Sequence, residues 1–85
     1  MSLKPVKQFK LGRTVAAVWE HEHEGRTFFN VSFSQVFKQS DDAPWRRGHS
    51  FGRDELPLVA KVADQAHTWM YEEEQRRRQA KREAS

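Results

Sequence analysis

The sequence predicts an α+β fold, an antiparallel meander of three to four strands followed by one long C-terminal helix packed on one sheet face. Three observations carry this expectation. Residues 27–37 alternate apolar and polar side chains with the period of a strand. Turn-forming residues separate this run from its neighbours by short connections, which favour antiparallel pairing of consecutive strands. From residue 54 onward, apolar residues recur at spacings of three and four, the period of a helix.

The first strand reads as Lys7 to Leu11, interrupted at Gly12 and resumed from Thr14 to Glu20. Gly12 is expected to mark a bend or bulge in one strand, or the division between two. Val15, Ala17 and Trp19 share one face and Ala16 and Val18 the other, and the pattern leaves open which is buried. Glu24-Gly25 turns the chain into the clearest strand. There Phe29, Val31, Phe33 and Phe37 point to the core, while Phe28, Asn30, Ser32, Ser34 and Val36 face solvent or a partner. Gln39 to Pro44 is a loop, and Trp45 to Phe51 a short further strand.

Asp54 is a candidate N-cap, and Pro57 fits only the first helical turn, so the helix is expected to begin near residue 54. Leu56, Val59, Ala60, Ala63, Ala66, His67 and Met70 form its apolar stripe, which Leu58, Val62 and Trp69 widen. This width suggests that Leu58, Val62 and Trp69 meet a partner or a second copy. Residues 1–71 are thus read as a single domain and 72–85 as a charged helical extension that frays. Within it, Glu72, Glu73 and Glu74 stand four residues before Arg76, Arg77 and Arg78, the favourable order for helix ion pairs.

At 85 residues the chain suits one small domain with a marginal core, for which a homodimer is a natural supplement. It has no cysteine, which excludes disulfides, zinc-thiolate sites and thiol nucleophiles. Neither a signal-type apolar run nor the roughly 20 apolar residues of a bilayer span is seen, so a cytoplasmic location with no membrane partner is expected. The net charge is +3, and the excess sits forward: residues 1–53 hold nine Lys/Arg against five Asp/Glu, residues 54–85 six against seven.

The most metal-like segment is Glu20-His21-Glu22-His23-Glu24-Gly25, in which both histidines lie on one side of a strand. A metal site needs a third ligand that no neighbouring residue supplies. The competing reading is a polar hairpin end, and we expect no metal and no cofactor here. His67 is expected to pack rather than ligate, and Gly52-Arg53-Asp54 to cap the helix rather than hold a phosphate. Without a nucleophile motif, a phosphate-cradling glycine loop or H-E-x-x-H, no catalytic residues are expected and the chain is read as a non-enzyme.

What remains is a set of cations, Lys10, Arg13, Arg26, Lys38, Arg46 and Arg47, with two aromatics, Phe28 and Trp45. Sheets that bind single-stranded nucleic acid use this pairing, since a base stacks on an aromatic face while Lys or Arg follows the phosphates. A bland alternative is that Trp45 closes the core edge and the charges protect edge strands. An assembly module acting through the helix, without nucleic-acid binding, is the other functional reading.

Phe9-Lys10-Leu11-Gly12, Ala16-Ala17-Val18-Trp19, Phe29-Asn30-Val31-Ser32-Phe33-Ser34, Trp45 followed by Ser50-Phe51-Gly52-Arg53-Asp54-Glu55-Leu56, and Leu58-Val59-Ala60-Lys61-Val62-Ala63-Asp64-Gln65-Ala66-His67-Thr68-Trp69 together resemble a group of short bacterial and archaeal proteins of no established activity. In architecture the expected meander and helix are similar to the single-stranded-DNA-binding domains of the positive-cofactor-four and Whirly kind. That likeness implies dimers paired through helices and nucleic acid bound on the sheets.

Overall fold

A computed structural model describes residues 4–84, as an antiparallel sheet with one helix on it. The strands are β1 (Lys7–Leu11), β2 (Thr14–His23), β3 (Arg26–Phe37) and β4 (Arg46–Gly48), and the helix is α1 (Leu56–Ala84). They run in the order β1-β2-β3-β4, every pair antiparallel, so the sheet is a plain meander.

Both tight connections follow from the glycines. Gly12 has φ +60° and leads a two-residue turn between Leu11 and Thr14, which are paired. It therefore ends one strand and begins another rather than bulging a single strand. A β-carbon there would lie 3.7 Å from Leu58 Cδ1, so the turn is seated against the start of the helix. In the second turn Glu24 (φ 52°) and Gly25 (φ 79°) are both left-handed between paired His23 and Arg26. That is the type I′ pattern, whose twist matches that of the flanking strands.

Register decides the faces. Ala16 pairs with both Phe9 and Phe33, and Val18 with Val31, so Phe9, Ala16, Val18, Val31 and Phe33 share one side. On that side Val18 and Phe29 are buried with Ala66 of the helix, and Phe9, Val31, Trp69 and Met70 pack around them. Phe29 meets Trp69 edge-on at 5.5 Å between ring centroids. The inward set read from the β3 alternation is the one that faces the helix, with Phe33 and Phe37 half-buried toward its margin. The ambiguity in β2 resolves as well: Ala16 and Val18 face the helix, and Val15, Ala17 and Trp19 face away.

The last strand is shorter than its sequence suggests, because beyond Gly48 the chain is held by other bonds. His49 Nδ1 donates to the Phe33 carbonyl at 2.9 Å, and Gln35 Nε2 donates to the Ser50 carbonyl. The helix starts two residues after Asp54. Val59 N–H donates to the Glu55 carbonyl at 3.0 Å, making Glu55 the cap residue and placing Pro57 in the first turn. Asp54 stays exposed beside Arg53 at 3.8 Å.

Of Leu58, Val62 and Trp69, the row expected to meet a partner, the chain's own packing takes up Val62 completely. Val62 is 0% exposed and thus entirely consumed by the chain's own sheet, and Leu58 and Trp69 are half-buried, against the Gly12 turn and Phe29 respectively. The stripe is wide because a helix lying on three strands needs a wide stripe; α1 packs on β1, β2 and β3. His67, expected to pack, is exposed, with its ring 5.5 Å from that of Tyr71.

Further along the helix, Glu73 receives both Arg77 (Nε to Oε1, 3.1 Å) and Arg76, so of the three expected ion pairs only Glu73–Arg77 forms and Arg76 turns to Glu73 instead of Glu72. Arg77 also reaches Glu20 of β2 at 2.6 Å and lies 5.0 Å from the Phe29 ring centroid. The hydrogen bond to Glu20 is the main reason its guanidinium is held further into the charged form, with Glu73 adding to it against partial burial. No helix among the described residues is long and apolar enough to cross a membrane.

Candidate nucleic-acid interface

The sheet face turned away from α1 is assembled by the ladder from residues far apart in sequence. It carries Gln8 and Lys10 of β1, the odd-numbered residues Val15 to His23 of β2, the even-numbered residues Arg26 to Val36 of β3, and Arg47 of β4. Its charge is one-sided. The strand carboxylates, Glu20 and Glu22, both fall on the helix side, whereas Lys10, Arg26 and Arg47 fall on this one.

Three aromatic stations lie along the strand direction. Toward the β2–β3 turn, Phe28 stacks on its paired neighbour His21, with centroids 5.4 Å apart and planes 22° from parallel, and Phe28 remains 43% exposed. Two residues further along, Trp19, paired with Asn30, donates from Nε1 to Ser32 Oγ at 2.9 Å. At the far end, Lys38 Nζ sits 4.9 Å from the centroid of Trp45, whose side chain is 60% exposed. Ten residues of extended chain, about 33 Å, separate Phe28 from Lys38. Between the stations Val15, Ala17 and Ser34 are small and nearly buried, giving a low floor flanked by larger side chains.

The eight residues singled out by sequence divide accordingly. Arg26 and Phe28 lie at the turn end. Lys38 and Trp45 form one unit at the other end, where Arg47 faces the same way opposite Val36. Arg13 belongs to this end too, since its carbonyl accepts from Val36 N–H at 3.1 Å. Lys10, opposite Val15, stands on the β1 side. Arg46 does not join them: paired with Phe37, it projects from the helix side of the sheet. Phe28 and Trp45 are too far apart to grip one base between them.

Sequence reasoning left out Trp19 and His21, which belong to this face. The signal was available in the two-residue turn at Glu24-Gly25, which makes His23 pair with Arg26 and hence His21 with Phe28 and Trp19 with Asn30. His21 stacks on an aromatic ring and His23 sits 3.8 Å from Glu24, and among the described residues no group of three or more His, Asp and Glu gathers as metal ligands would. No protein-family model, curated protein or solved structure matches the chain.

Proposed function

We propose that the protein is a non-enzymatic module that binds single-stranded nucleic acid, DNA or RNA, along the sheet face opposite α1. The observation carrying this reading is the segregation on that face: Phe28 stacked on His21 with Trp19 beside them, Lys10, Arg26 and Arg47 toward its margins and no strand carboxylate, with the Lys38–Trp45 pair just beyond the end of β3. Bases stack on Phe28 with His21 and on Trp45 with Lys38, and Lys10, Arg13, Arg26 and Arg47 neutralise phosphates. A low floor of Val15, Ala17 and Ser34 lets the bases approach the sheet. Single strands are preferred to duplex because the stations need unstacked base faces.

Fluorescence anisotropy with single-stranded, duplex and RNA probes at two salt concentrations tests this. Phe28→Ala and Trp45→Ala should each weaken single-strand binding by about 1–3 kcal/mol while leaving the fold intact. Absence of binding by every probe at low salt, or unchanged affinity in both folded variants, overturns the proposal. The assembly reading is less favoured, since Val62, the centre of the apolar row meant for a partner, is covered by the sheet itself. Pairing of two copies would have to use other surface, and the binding reading does not depend on it.

A further inference from the structure

On the helix side of the β2–β3 turn lies an open cleft of about 610 Å³ between the hairpin end and the C-terminal half of α1. Arg26, Arg77, Arg78 and Lys81 line it together with Glu74 and the backbone of Gly25. Arg77 is already committed to Glu20 and Glu73. That leaves Arg26, Arg78 and Lys81 against Glu74, and counting Glu22, which falls on the helix side opposite the lining Thr27, the local excess is one positive charge in a concave site.

Arg78 and Lys81 are three residues apart and so share one side of the helix. Neither is needed by the core, both being exposed. Arg26 has a double placement. By register it belongs to the face that carries Phe28, yet it also lines the cleft. The hairpin ends there in a turn of only two residues, so little protein separates the two sites.

We propose that this cleft receives phosphates of the same single strand, which passes the hairpin end from the Phe28 station onto the helix side with Arg26 at the crossing and Arg78 and Lys81 beyond it. This rests on the binding reading above and extends its footprint. The ligand chemistry is a chain of phosphodiesters, because cations spaced over a hairpin end and two helical positions suit successive phosphates. The cleft offers no apolar wall for a further base beyond Phe29, whose ring Arg77 already covers.

The test compares wild type with the double variant Arg78→Gln, Lys81→Gln, using oligothymidylates of about six and about fifteen nucleotides, within the span of site sizes known for such sheets. Circular dichroism first establishes that helix content is unchanged. With the longer probe, the variant should bind several-fold more weakly and lose about 1.4 from the slope of log K against log salt, about 0.7 for each single-strand phosphate contact. With the shorter probe it should match wild type. Equal affinity of variant and wild type for the longer probe overturns the inference while leaving the sheet-face reading standing. Equal losses on both probes overturn it too, since a general field effect would be the cause. Failure of wild type to bind either probe overturns both.

Discussion

At the scale of single residues, the least comfortable group in the molecule is Thr14. It is 0% exposed, and its Oγ1 is buried without a hydrogen-bond partner. A buried hydroxyl in that state costs more than a methyl of the same shape. Thr14→Val should therefore raise unfolding stability by about 1 kcal/mol, read as a shifted denaturant midpoint at unchanged slope. Glu24 offers a second such case, because its left-handed φ of 52° suits Asn far better than Glu. Glu24→Asn should stabilise by roughly 0.5–1 kcal/mol, comparable to other relief of backbone strain. A lower thermal midpoint in that variant would contradict the turn geometry. Neither effect could be read from sequence: Thr14 looked like an ordinary strand residue, and Glu24 like half of a polar turn. The alternation of β3, by contrast, was fully legible, since a period of two leaves Phe29, Val31 and Phe33 no second arrangement.

At the scale of elements, α1 is fastened to the sheet in two ways. Its first half is held by apolar burial through Val62 and Ala66, each nearly inaccessible. Its second half depends on Arg77, which reaches Glu20 and covers Phe29. These side chains are partly exposed, so Arg77→Ala should cost only about 1 kcal/mol globally. The loss should be local, however. Hydrogen exchange should accelerate at amides beyond residue 73 while those of residues 59–70 keep their protection, and uniform acceleration along the helix would show that Arg77 is not the fastening. The helical period predicted the element, but not which flank of a broad stripe would be consumed. Leu58, Val62 and Trp69 looked available to a partner because a sequence does not say how many strands its helix must cover. Similarly, Asp54 looked like the better cap by side-chain type, yet the first backbone bond to be closed belongs to Glu55.

At the scale of the whole molecule, the shape is elongated, with extents of 56 × 25 × 18 Å and a radius of gyration of 16.0 Å. A compact chain of this length would have about 12 Å. Small-angle scattering from the monomer should return a value near the larger figure, and the smaller one would refute the extended helix. The elongation comes mainly from α1, whose 29 residues would run about 44 Å, whereas the separation of Phe28 from Lys38 is set by β3 alone. Only part of that candidate site could be foreseen. The cations and the two exposed aromatics were visible as residue types, but their sorting onto faces depends on cross-strand register, which sends Arg46 and Arg47 to opposite sides of the sheet.

The brevity of β4 has one more consequence. It pairs with Gln35, Val36 and Phe37 alone, and among the described residues no strand lies along the outer edge of β3 from Arg26 to Ser32. Among the described residues the outward backbone groups of that stretch have no strand partner, and such an edge is a template for another chain to zip onto. Arg26 at one end is the only charged side chain along it. Raising the salt concentration weakens the repulsion between like charges, so the same titration that strips nucleic acid from the protein should bring its solutions closer to edge-to-edge aggregation.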